Sequence, residues 1–168
     1  MFFDMTPLTF VHVVLSLVGI AAGFVVLIGL LASKRLDGWT ALFLVTTVAT
    51  SATGFLFPFE RFLPSHAIGI LSLLVLAAAI VARYPRRLVG IWSPIYVITA
   101  MIALYFNVFV LVVQAFLKVP ALKAMAPTQS EPPFLVAQLV VLVLFIALGI
   151  AATIRFRVDP VATAPISK

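Results

Sequence analysis

The chain contains no cysteine. Disulfides, thiolate metal ligands, iron–sulfur clusters and thiol redox chemistry are therefore excluded together, while the compartment stays open. Charge is almost as scarce, at 10% of 168 residues, with only 5 acids. None of those acids (Asp4, Asp37, Glu60, Glu131, Asp159) lies deep inside a long apolar run. That argues against a proton-coupled pump, which needs a buried carboxylate relay. Histidine occurs twice, as His12 and His66. Two neutral ligands without carboxylates are too few for zinc. No acid stands where it would orient an imidazole beside Ser16 for hydrolysis. Phosphate-loop, HExxH and nucleotide fingerprints are also missing.

Apolar surface is what the chain has in excess. Hydrophobic residues make up 64% of it and the mean hydropathy is +1.28, whereas soluble domains are about 45–50% apolar and about 25% charged. So few charges cannot cover so much apolar surface in water, and lipid must be the solvent. The net charge of +6 does not point to nucleic acid, because the 11 Lys and Arg flank apolar runs. Basic residues there fix topology and meet anionic headgroups. The start Met1-Phe2-Phe3-Asp4-Met5 lacks a basic n-region, so a cleaved signal peptide is not expected.

About 20 mostly apolar residues are needed for a helix to cross about 30 Å of hydrocarbon. Five stretches qualify, at roughly 8–31, 39–57, 64–83, 92–117 and 134–154. Membrane β-barrels instead use alternating segments of about 10 residues. The expected fold class is therefore all-α: an integral membrane bundle of five transmembrane helices, one domain over 1–157, with a flexible cytoplasmic tail at 158–168. Pro85 stops the third stretch and neighbouring Arg residues anchor it. The connection 119–133 carries four prolines, and 121–126 has room for one or two interfacial helical turns. Eight Lys and Arg (Lys34, Arg35, Arg83, Arg86, Arg87, Arg155, Arg157, Lys168) fall on one side and three (Arg61, Lys118, Lys123) on the other. The positive-inside rule then puts the N-terminus outside and the C-terminus in the cytoplasm of a bacterial inner membrane.

Polar side chains inside lipid are costly, so each is a functional candidate. His12 shares a helical stripe with Ser16, Gly19 and Gly23. The Gly19–Gly23 spacing is a GxxxG, which admits a neighbouring backbone and turns His12 inward. His66 opens the third stretch behind Pro64 and the N-cap candidate Ser65, with Gly69 one turn on. Both histidines are thus expected at one depth near the outer surface. They could ligate a b-type haem from two helices, with Gly69 making room for the ring, or serve a metal, proton or quinone. They could equally make ordinary interhelical hydrogen bonds. Tyr96, Asn107 and Gln114 recur on one face of the fourth stretch, and Gln138 lies near the outer end of the fifth. Such groups also act as interhelical glue, at about 1 kcal/mol per contact. The hydroxyls of Thr46, Thr47, Thr50, Ser51 and Thr53 can bond back to their own helix. Together His12, His66, Gln114 and Gln138 predict a polar pocket in the outer half of the bundle, lined also by Tyr96 and Asn107. It would suit a quinone head, a haem or a small amphiphile.

Three segments, Thr53-Gly54-Phe55-Leu56-Phe57-Pro58, Leu63-Pro64-Ser65-His66 and Pro127-Thr128-Gln129-Ser130-Glu131-Pro132-Pro133-Phe134, resemble parts of small multi-pass membrane proteins of proteobacteria. That resemblance implies the topology and no activity, cofactor or catalytic residue. The expected function is a small inner-membrane accessory or binding protein without catalytic activity of its own. Its expected partners are membrane lipids, a second copy or another membrane subunit. One alternative is an electron-transfer protein holding haem b or quinone through His12 and His66. Another is a carrier or channel for a small neutral solute.

Overall fold

Proline sets where most of the helices begin, since its fixed φ and missing N–H suit the first helical position. Pro7 opens α1 (Pro7–Leu31), Pro64 opens α3 (Pro64–Arg83), Pro120 opens α5 (Pro120–Met125) and Pro132 opens α6 (Pro132–Arg155). The remaining helices are α2 (Asp37–Gly54) and α4 (Trp92–Lys118). The computed structural model describes residues 6–57 and 64–157, with the side chains of Pro64 and Ser65 left out. The expectations resting on Asp4, Glu60, Arg61, the Ser65 side-chain cap and the tail at 158–168 lie outside these residues. Among the described residues every regular element is a helix. The short helix expected at 121–126 is α5.

Four helices are long and apolar enough to cross a membrane: α1, α3, α4 and α6. The second stretch, expected over 39–57, instead gives an 18-residue helix from Asp37 to Gly54. Asp37 sits in its first turn, where a carboxylate favours the helix N-terminus. The chain breaks at Gly54 because glycine is a poor helix former. Asp37 and six hydroxyl residues lower the hydropathy of α2 below that of its neighbours.

The five long helices run antiparallel in chain order. His12 meets Thr53, Gly19 faces Thr46 and Thr47, Gly23 faces Phe43, and Gly29 faces Leu36. Thus α2 retraces α1 over its whole length. In turn Ser51 meets Ser72 and Asp37 meets Arg83, which aligns α3 against α2. On the far side, Met101 faces Gly149 and Phe116 packs on Phe134, so α6 runs antiparallel to α4. One end of the bundle therefore collects Lys34, Arg35, Arg83, Arg86, Arg87, Arg155 and Arg157. The other collects His12, His66, Lys118 and Lys123. These are called the basic end and the histidine end below.

Packing is uneven along the axis. In α1 every buried residue falls between Gly19 and Leu30, and in α2 between Thr40 and Thr47. The main core joins these to Leu76, Ala79, Ala82, Tyr96, Ala100 and Leu104 in the half nearer the basic end. At the histidine end a small satellite of Phe116, Ala126 and Phe134 closes α4, α5 and α6 together. Between α1, α2, α3 and α4 that end is hollow.

Arg83, expected as a headgroup anchor, is buried, its side chain only 2% exposed. It pairs with Asp37, donates to the Arg35 carbonyl at 2.9 Å and lies 5.0 Å over the Tyr96 ring. A buried charge is tolerated only with such partners. Here it ties the starts of α2 and α4 to the end of α3.

Candidate functional site

The hollow is a cavity of about 510 Å³, within the range of small-ligand sites. Aromatic and aliphatic side chains make most of its wall, and small or polar ones leave the space where four helices would otherwise meet. Ser16, Gly54, Gly69 and Ser72 all line it. Gly69 is needed there, because a Cβ at that position would stand 3.0 Å from the Phe55 ring.

The His12 side chain is fixed by α2. Its Nδ1 lies 2.9 Å from Thr53 Oγ1. The Thr53 hydroxyl donates to the Ala49 carbonyl at 2.7 Å, and less closely to the Thr50 carbonyl. Its single hydrogen is thereby used, so His12 Nδ1–H must be the donor. In the neutral ring Nε2 is then the acceptor, and it has no partner among the described residues. Phe57 meets the imidazole edge-on at 5.2 Å. Ser16 spends its hydroxyl on the His12 carbonyl, at 2.7 Å.

His66 is buried and lines the same cavity. Its ring tilts against Phe55, 5.9 Å between centroids. The two histidines therefore meet the end of α2 and the turn after it at different residues, His12 at Thr53 and Phe57, His66 at Phe55.

The sequence stripe on α4 changes role along its length. Asn107 and Gln114 line the cavity, Asn107 donating to Thr47 Oγ1 at 3.1 Å. Tyr96 does not reach it. That ring is fully buried near the basic end, its hydroxyl 3.4 Å from Thr40 Oγ1. Gln138 lies apart too, donating to the Phe109 carbonyl at 3.2 Å on the α6 side. Gly19 and Gly23 form the close α1–α2 contact below the cavity. Helix period alone put these residues on shared faces, but it could not say where along a face the helices separate. Lys118 and the phenylalanines Phe55, Phe57 and Phe106 also line the cavity and were not singled out from sequence. Inward-facing small residues near one end of α1, α2 and α3 were the available signal.

A second hollow, about 400 Å³ between α4 and α6, is bounded by residues such as Ile98, Met101 and Ile146. Its one threonine, Thr153, spends its hydroxyl on the Gly149 carbonyl, and the Tyr105 ring is the other lining side chain with a polar atom. Among the described residues no three His, Asp or Glu gather to hold a metal ion. In the loop before α6, Glu131 collects the Thr128 N–H and hydroxyl, at 3.0 and 2.9 Å, and the Ser130 N–H at 3.1 Å. Desolvation there would raise its pKa, but these hydrogen bonds outweigh it and hold the carboxyl below its ordinary value. No family model, curated protein or solved structure matches the chain.

Proposed function

We propose that the chain is a bacterial inner-membrane protein of five transmembrane helices that holds a membrane-soluble amphiphile in the cavity at its histidine end. It acts as a binding or accessory component, alone, as a homo-oligomer or beside another membrane subunit, without catalytic activity of its own. The cavity itself carries the reading: a hollow of this size, walled mostly by aromatic and aliphatic groups, with a few polar atoms inside. A fifth crossing, by α2, is supported by its retracing α1 and α3. Its 18 residues reach about 27 Å at 1.5 Å each, close to the hydrocarbon thickness. The hydroxyls of Thr46 and Thr53 cost little there, since they bond back to the helix. The basic end is cytoplasmic by the charge rule, which places the N-terminus and the cavity outside.

A second reading has one observation in its favour. The tautomer of His12 leaves Nε2 as the nitrogen that would ligate haem b or meet a quinone head, with Nδ1–H held by a partner as ligating histidines usually are. The different contacts of the two rings favour a ligand touching each in turn over an iron held between them. A channel or carrier is disfavoured because Leu104, Ala103 and Phe43 close the bundle beneath the cavity. The test is organic extraction and mass spectrometry of purified protein, with an absorption spectrum. One amphiphile per chain, lost in a cavity-filling Ser16→Trp variant, supports the first reading. A Soret band with α/β bands on reduction supports haem. Equal trace lipid in both proteins and no chromophore refutes both.

A further inference from the structure

The exposure of the cavity wall is one-sided. Among its described lining residues, those open to the surroundings are Leu17 on α1 and Leu111, Gln114 and Lys118 on α4. Among the described residues no exposed lining residue comes from α2 or α3. Below this gap α1 and α4 touch, where Gly23 meets Leu104. The two leucines, 51% and 40% exposed, lie deeper than Gln114 and Lys118.

We propose that the cavity opens sideways to the membrane between α1 and α4 and takes a quinol, whose hydroxyl donates a hydrogen bond to His12 Nε2. This rests on the reading of the cavity as a ligand site and names the ligand class. Leu17 and Leu111 form an apolar sill that suits an isoprenoid or alkyl tail leaving toward the bilayer. Phe55, Phe57 and Phe106 offer ring faces and edges to a flat head. The wall carries no carboxylate among its described residues, so nothing there holds a cationic head.

The reduced form is selected by His12. Because Thr53 has spent its hydrogen on Ala49, the neutral imidazole cannot offer Nε2–H without losing its own hydrogen bond. A quinol hydroxyl donates to that lone pair. A quinone carbonyl at that nitrogen would face it acceptor to acceptor and leave it unpaired, which costs more than a missing bond.

The test compares a short-tailed benzoquinol with its benzoquinone, binding to the full chain in phosphatidylcholine nanodiscs under anaerobic conditions. The expected result is about three- to tenfold tighter binding of the quinol, the size of one net hydrogen bond. His12→Phe should abolish the preference, by weakening quinol binding and relieving the acceptor-to-acceptor contact of the quinone. Thr53→Val, which frees the tautomer at nearly constant volume, should shrink the preference in a protein that keeps its imidazole. Leu17→Trp should slow uptake of both forms. Equal or quinone-favoured binding that Ser16→Trp still blocks overturns the hydrogen-bond assignment and leaves the cavity reading standing. Binding of neither form overturns both. Uptake unchanged in Leu17→Trp overturns the side opening.

Discussion

Gly23 separates the packed half of the bundle from the hollow one, and replacing it with alanine measures that contact. A Cβ at Gly23 would stand 3.0 Å from two Phe43 ring carbons and press still harder on Leu104 Cδ1. Gly149 is the control, also inside a helix, where a Cβ would lie 3.9 Å from Met101, an ordinary contact. Both substitutions share the gain from removing a helical glycine, about 1 kcal/mol in water. Whatever that gain becomes in a membrane, it cancels in the difference. The overpacking at Gly23 does not cancel, and it costs about 1–3 kcal/mol. Gly23→Ala should therefore be less stable than Gly149→Ala by about that amount. Reversible unfolding in mixed micelles, followed by far-ultraviolet circular dichroism, would measure it. Equal stabilities would mean that α1 does not approach α2 and α4 as described.

Three further outcomes are expected. Asp37→Ala leaves Arg83 buried with only a carbonyl and a ring face; because Asp37 is 74% exposed, the loss should be about 2–3 kcal/mol, below that of a fully buried pair. Arg83→Met should cost less, within about 1 kcal/mol, and the reverse order in the same unfolding assay would refute the buried pairing. Glu131 has a folded pKa below its ordinary 4.5, so its contribution is complete above that value and fades as pH falls through the folded one. Amide exchange at Thr128 and Ser130, compared at each pH with Glu131→Gln, should be slower in the parent at pH 6 and should converge in acid. Reporter fusions after Arg35, after Arg87 and at the C-terminus should read cytoplasmic, and one near Ser130 external; a cytoplasmic signal at Ser130 would overturn the charge argument.

Much of the fold was legible because lipid imposes a coarse code. Long apolar runs punctuated by proline and arginine gave α1, α3, α4 and α6 nearly to the residue, since each run can only satisfy its backbone as a helix. The second stretch was less exact because its hydroxyls and Asp37 blur the contrast on which hydropathy depends. The GxxxG in α1 was readable as a close contact, although nothing in it named Phe43 and Leu104 as what it meets. His12 and His66 were placed at one depth by helix direction alone. Arg83 was misread because an arginine at a helix end usually snorkels, and only the fold brings Asp37 and Tyr96 around it. Tyr96 and Gln138 carried polar atoms on plausible faces, but depth and neighbour decide what such atoms do. A periodicity argument contains neither.

The absence of cysteine makes the central claim directly measurable. Single cysteines at Ser16, in the cavity, and at Ala22, in the packed half and 1% exposed, can each be introduced without background labelling. A small thiosulfonate reagent is added to intact cells from outside, with the short-tailed quinol present or absent. The account predicts that Ser16→Cys reacts from outside and is protected by the quinol, while Ala22→Cys reacts in neither case. A Ser16→Cys that stays unreactive, or reacts only from the cytoplasmic side of inverted vesicles, would contradict an outward-facing cavity.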